Sequence, residues 1–150
     1  MKIEVKHHLD APLADIFETI ADVPRWPELI RSVLRTEKLT NGPVGRGTVF
    51  RETRVIFNHI STHTMEVVDF DRPHRLRVAA WNQDIHYELD HLMDRVFGAD
   101  SRILLIFRSY PRSSVGRAVH PFMTPMMEIT VRDELERDLA DIVAGVKARV

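Results

Sequence analysis

A stripe of apolar residues near the C-terminus constrains this chain more than any other feature. Met123, Met127, Val131, Leu135, Leu139, Ile142 and Val146 recur at spacings of four, four, four, four, three and four. An α-helix gathers such positions on one side, because its turn holds about 3.6 residues. This helix is the longest element expected, and its stripe has to be covered by something else. Thr124 before Pro125 reads as an N-cap with proline at the first helical position, so regular helix is expected from there. If helix extends upstream through Pro121, Pro125 should kink it instead. Lys147 and Arg149 suit the negative end of the dipole in the last turn. Arg132, Asp133, Glu134, Glu136, Arg137 and Asp138 read as the solvated back of the helix.

The residues available to cover that stripe have a different period. Ile3, Val5, His7 and Leu9 alternate with Lys2, Glu4, Lys6 and His8, which marks a strand with one face covered. Asp10 then offers a cap to a short helix that takes Pro12 in its first turn and carries Leu13, Ile16, Phe17 and Ile20 on one side. Asp22-Val23-Pro24 repeats the start signal for a second short helix bearing Trp26, Leu29 and Ile30. From Arg35 to Tyr110 the texture is that of a meandering antiparallel sheet. Its strands are expected at 33–39, 48–57 and 60–70, through Leu76, Val78 and Ala80, through Ile85 to Met93, and from Ile103 to Phe107 onward. Asn41-Gly42-Pro43, Gly45-Arg46-Gly47, Asp71-Arg72-Pro73-His74 and Gly98-Ala99-Asp100 supply the turns, and 112–117 reads as a surface loop.

One strand, two short helices, about six more strands and a long terminal helix segregate into an α+β arrangement without parallel crossovers. At 150 residues the chain is expected to form one domain, 1–150, that buries roughly 70% of its unfolded surface. With no Cys, disulfides, a thiolate nucleophile and Cys-ligated metal are excluded. A formal charge of −1 gives no positive field to draw in nucleic acid. The start is charged and no apolar run reaches the roughly 18 residues a bilayer span needs, so no stable membrane insertion and a cytoplasmic location are expected. His59 and His63 stand about 13 Å apart on a strand, and His7 and His8 face opposite ways, so neither pair suggests a metal. No metal and no cofactor are expected.

The helix has one stripe and about 10 Å of diameter, whereas a curved sheet has a wider apolar face, so a space is expected between them. An apolar pocket of that kind holds a small molecule. The order of motifs resembles the polyketide cyclase/dehydrase and lipid-transport branch of the START-like, helix-grip superfamily. The resemblance rests on Asp10-Ala11-Pro12 with Ile16-Phe17, on Asp22 and Trp26-Pro27-Glu28-Leu29-Ile30, and on Gly45-Arg46-Gly47-Thr48. Asp71-Arg72-Pro73-His74-Arg75-Leu76 and the terminal helix, with Met123-Thr124, Thr130 and Arg132, complete it.

This resemblance implies a seven-stranded curved antiparallel sheet wrapped around the long C-terminal helix, with two short helices after the first strand. It implies a small hydrophobic partner, a polyketide, aromatic or lipid-like molecule, held in the groove. Cyclase members fold a poly-β-ketone chain and assist its closure and dehydration, so cyclase/dehydrase activity is one expectation. A non-catalytic lipid or isoprenoid carrier and a chaperone-adaptor module are the others, and homodimerisation stays open. The resemblance places Glu66 where a pocket Arg is expected.

Pocket residues are expected from several elements. His91 shares the apolar side of its strand with Tyr87, Leu89 and Met93, as a ligand-facing group, an acid/base or a satisfied core histidine. Arg108 and Tyr110 share a strand face that points inward unless Ile103, Leu105 and Phe107 take that side. Phe50, Glu52, Arg54 and Ile56 share another, with Arg54 at the sheet rim as the expected partner of Glu52. In the resembled fold, Trp26, Phe122, Met123, Met126 and Met127 line a mouth at the start of the helix.

Overall fold

The computed structural model describes residues 1–56, 58–81, 84–98 and 100–149, with the side chains of Phe122, Met123 and Met126 excepted. Its elements run β1 (Lys2–Asp10), α1 (Leu13–Ala21), a 3₁₀ turn (Val23–Arg25), α2 (Trp26–Leu29), β2 (Val33–Lys38), β3 (Val49–Ile56) and β4 (His59–Asp71). Then come β5 (Arg75–Trp81), β6 (Ile85–Phe97), β7 (Asp100–Pro111) and α3 (Ser114–Arg149). All seven strands join one antiparallel sheet in the order β1-β7-β6-β5-β4-β3-β2. Consecutive strands pair from β2 to β7, and β1 closes on β7, so the meander read from the turns is the topology found. Register shifts at Val33/Arg35, Val67/Asp69 and Arg95/Phe97 bend the sheet locally.

Several boundaries differ from the sequence reading, each for a local reason. Asp10 does not cap α1; it ends β1 opposite Asp100, and the Pro12 carbonyl receives the first amides, from Asp15 and Ile16. The last strand starts at Asp100 rather than Ile103, because β1 continues to pair with it as far as Asp10. Of the turn expected at Gly98-Ala99-Asp100, Ala99 lies outside the described residues, as does Phe57 at the end of the expected second sheet strand.

The largest difference lies in α3. It starts ten residues before Thr124, with the Gly116 amide donating to Ser113 Oγ at 2.9 Å, so much of the expected surface loop is its first turn. Gly116 lies so close to the Asp84 backbone carbonyl that a Cβ would collide with it. Thr124 is therefore no cap: its hydroxyl donates to the His120 carbonyl at 2.8 Å inside the helix. Pro121 and Pro125 both lie within α3, where each removes one amide donor from the ladder.

The core is built where three layers meet. Ile3 and Val5 of β1, Ile16, Phe17 and Ile20 of α1, Leu105 of β7, and Leu139, Ile142 and Val146 of α3 are all buried. Each such side chain contributes about 1.5–3 kcal/mol by leaving water. α3 packs on β1 and β7 and against α1 and α2, along one flank of the sheet. The inner faces of β3, β4 and β5 therefore look toward the middle of α3 across a space that α1 does not reach.

Candidate functional site

That space is a cavity of about 420 Å³, inside the roughly 300–1,000 Å³ range of small-molecule sites. Sheet alternation supplies most of its wall. Val78 and Ala80 of β5, Leu89 of β6, and Leu105 and Phe107 of β7 face inward, while Met127, Val131 and Leu135 of α3 close the opposite side. Trp26 of α2 forms one end. Its indole Nε1 donates to the Ile20 carbonyl at 2.9 Å, which satisfies the polar edge and leaves the ring as wall.

Besides Tyr87, Glu88 and Glu134, three sets of polar groups interrupt this apolar lining. In the first, Arg54 Nε donates to Glu52 Oε1 at 2.8 Å and Arg54 Nη1 donates to Asp138 Oδ2 at 3.0 Å. Glu52 and Asp138 are 3% and 4% exposed, and the second oxygen of each, Glu52 Oε2 and Asp138 Oδ1, is buried with no partner. Burial opposes the charge on Arg54, but the two carboxylates outweigh it and hold the guanidinium protonated above its usual range. Burial pushes the Asp138 carboxyl up, and the single arginine, already shared with Glu52, only partly offsets that.

His91 forms the second set. Its Nδ1 lies 3.0 Å from the Leu76 carbonyl, an arrangement that makes Nδ1 the protonated nitrogen and Nε2 an acceptor. Burial pulls its pKa down to about 4, against a smaller opposing contribution from that hydrogen bond, so the ring is neutral at pH 7. The third set is the row His59, Ser61 and His63, alternate residues on the inner face of β4, where His63 Nε2 is buried without a partner. Among the described residues no group of three or more His, Asp or Glu converges as metal ligands do.

The expected site residues divide between the two faces of the sheet. Trp26, Tyr87, His91 and Met127 line the cavity. Phe50 is fully buried behind Trp26, edge-to-face at 5.5 Å, and belongs to the core rather than the wall. Arg108 and Tyr110 are on the outer face, because Leu105 and Phe107 take the inner positions of β7. There Tyr110 lies beside His86, 6.0 Å between ring centres, and Arg108 Nη1 approaches Asp90 at 3.9 Å. Glu66 pairs with Ala79 and also faces outward; Met65 is the inward residue, so no pocket arginine is replaced by Glu66. The side chains of Phe122, Met123 and Met126 lie outside the described residues.

Two side chains that the charge pattern places in solvent are not there. Asp138 is buried and Glu134 lines the cavity, so the charged segment of α3 is not a uniformly solvated back. The signal is present in the spacing: Val131, Glu134, Asp138 and Ile142 step by three, four and four along the apolar stripe itself. Arg54 is the expected partner of Glu52, but it stands inside the cavity rather than at the sheet rim.

The polyketide cyclase/dehydrase and lipid transport family matches residues 1–147. The chain belongs to this family. The fold of this chain recurs in solved structures of low sequence identity. The Zhui aromatase/cyclase from Streptomyces sp. R1128 superposes with a TM-score of 0.82 at 17% identity, covering 99% of this chain and 94% of that one. A START superfamily protein from Mycobacterium smegmatis gives 0.80 at 11% identity, with 99% of each chain covered. TTHA0849 from Thermus thermophilus gives 0.79 at 15% identity, again covering 99% of both. No curated protein matches this chain by sequence. Among the described residues no helix of this family member is long and apolar enough to cross a membrane.

Proposed function

We propose that this protein binds a small hydrophobic molecule, polyketide, aromatic or lipid-like, in the cavity between the sheet and α3. We further propose that with a poly-β-ketone it assists ring closure and dehydration by position. The observation that carries the reading is the combination of a mostly apolar 420 Å³ cavity with buried polar atoms that no protein group satisfies. Apolar burial at about 25 cal/mol per Å² supplies affinity, and the polar atoms set orientation. Burial of Asp138 favours its protonated form, which leaves Oδ1 able to carry a proton into an apolar site.

In the cyclisation version, the cavity holds a flexible chain near its closed shape and excludes water, which requires no nucleophile from the protein. Asp138 gives its proton to the carbonyl oxygen as the carbon–carbon bond forms. It recovers one from the acidic carbon between two carbonyls, so the protein ends unchanged. His91, neutral at pH 7, offers an acceptor at Nε2.

Two measurements test this. Native mass spectrometry of the purified protein is expected to show a retained lipophilic species, and its absence together with no binding across a hydrophobic panel would remove the reading. A supplied poly-β-ketone is expected to give a different ring pattern with protein than without. Unchanged products, alongside retained binding, would leave a carrier that releases its ligand unaltered.

A further inference from the structure

The cavity is defined by its charge as well as by its size and apolarity. Among the described residues Arg54 is the arginine that lines it, and two of its five N–H groups are committed to Glu52 and Asp138. With both carboxylates ionised the cluster carries one net negative charge, and with Asp138 protonated it carries none. In neither state is it positive. Glu134 adds a further carboxylate to the wall, 3.1 Å from Arg137 on the same helix. Tyr87 and Glu88 of β6 also line the cavity, His91 is buried with Nδ1 toward the Leu76 carbonyl, and His59 and His63 face the cavity from β4.

The unsatisfied atoms point the same way. Glu52 Oε2 is an acceptor, held on a residue 97% buried whose other oxygen is fixed by Arg54. A ligand anion beside it meets a second negative charge in a low-dielectric space, where repulsion is poorly screened. A hydroxyl or amine N–H there gives Glu52 the partner it lacks, and a buried acceptor left without one is costly.

We infer that the cavity selects ligands without negative charge that carry a hydrogen-bond donor, phenols and amines, and rejects carboxylates, sulfonates and phosphates of the same shape. This rests on the ligand-binding reading above and adds the class of ligand to it. Free fatty acids and other anionic lipids are thereby excluded, although their tails fit an apolar wall.

A matched pair of fluorescent probes tests it on the intact protein. N-phenyl-1-naphthylamine is uncharged and has one N–H; 8-anilino-1-naphthalenesulfonate has the same ring skeleton with a permanent anion. The neutral probe is expected to bind with a blue-shifted, enhanced emission, and the sulfonate at least tenfold more weakly. Equal affinity, or preference for the sulfonate, overturns the inference and leaves the hydrophobic-binding reading standing. Binding of neither overturns both. The isosteric variants Glu52→Gln and Asp138→Asn, alone and together, then move the selectivity. Together they leave Arg54 as an uncompensated cation and remove the carboxylate acceptor at Glu52, so sulfonate affinity is expected to rise at least tenfold while the neutral probe binds no more tightly than before. No gain in a folded double variant overturns the assignment, and the wild-type ratio stands as a test even if that variant does not fold.

Discussion

Two aspartates, each buried against arginine, lie on opposite sides of the sheet, Asp90 on β6 and Asp138 on α3 across the cavity, and behave in opposite ways. Asp90 on β6 is on the outer face with no exposed surface, and both its oxygens are bonded. Arg75 meets it in a two-bond fork at 3.0 and 2.7 Å, Arg77 adds bonds at 3.2 and 2.9 Å, and Arg108 stands at 3.9 Å. Burial alone would raise its pKa, but Arg75 and Arg77 outweigh that and hold the carboxyl below its usual range. Asp138 has one arginine, shared with Glu52, and one oxygen with no partner; burial raises its pKa. The same residue types thus make a fastener where cations are in excess and leave a carboxyl with an unpartnered oxygen and a raised pKa where they are short. The ratio of charges, and whether every lone pair is used, distinguishes the two better than burial does.

The largest expected effect comes from breaking the satisfied cluster. Asp90→Asn leaves Arg75, Arg77 and Arg108 crowded around an uncharged amide. The arginines are about one-quarter to one-third exposed, which screens part of the loss. A destabilisation of about 3 kcal/mol in urea unfolding at pH 7 is expected. Because the folded pKa is depressed, the contribution of Asp90 is complete above the unfolded value and disappears as pH falls below about 4. The variant should therefore lose that part of the acid dependence. A loss under about 0.5 kcal/mol would mean that the outer cluster fastens nothing.

His91 is the next residue along β6 and points into the cavity, so it probes the other face one position away. Its folded pKa of about 4 lies below the ordinary 6.5 because the charged form is desolvated. The unfolded chain takes up a proton first as pH falls, so stability declines from about pH 6.5 toward 4, by on the order of 2–3 kcal/mol. His91→Gln, which keeps a donor for the Leu76 carbonyl, is expected to flatten unfolding energies across that window. In nuclear magnetic resonance titration the native ring should not titrate between pH 5.5 and 8. A midpoint near 6.5 would place His91 in water and undo the closed-cavity picture.

The fold was legible because it is written in periods. Alternation marked β6, the four-and-three spacing marked α3, and turn residues separated the strands, so element order and the α+β class followed from local rules. The start of α3 was not legible. Thr124-Pro125 satisfies the local rule for a helix start, and only the docking of Ser113 and Gly116 near Asp84 shows that helix begins earlier. On β7 both faces are largely apolar, so alternation could not say whether Leu105 or Arg108 faces the cavity; pairing with β1 and β6 decides it. The site was half visible. Trp26, Tyr87, His91 and Met127 lay on the apolar sides of their elements and reached the wall. Asp138 was hidden because a run of mixed charges on a helix ordinarily faces water, and its partner Arg54 is 84 residues away.

The smallest expected change in stability is also the one that separates the two aspartates most sharply. In Asp138→Asn the amide oxygen can still accept from Arg54 Nη1, and Arg54 keeps its one-to-one pair with Glu52. A raised folded pKa means that the native protein binds the proton more tightly than the unfolded chain. Wild-type stability from this group is therefore greatest below the unfolded value near 3.8 and is lost as pH climbs through the raised one. Asparagine cannot ionise, so the variant lacks this loss. At pH 7 it should match the wild type or exceed it by up to about 1 kcal/mol, with the difference shrinking as pH falls toward 4. Protein-assisted closure of a poly-β-ketone should nonetheless be lost, since no proton is available at Oδ1. A destabilisation as large as that of Asp90→Asn would show that Asp138 is an ionised fastener of Arg54, and the contrast between the faces would collapse.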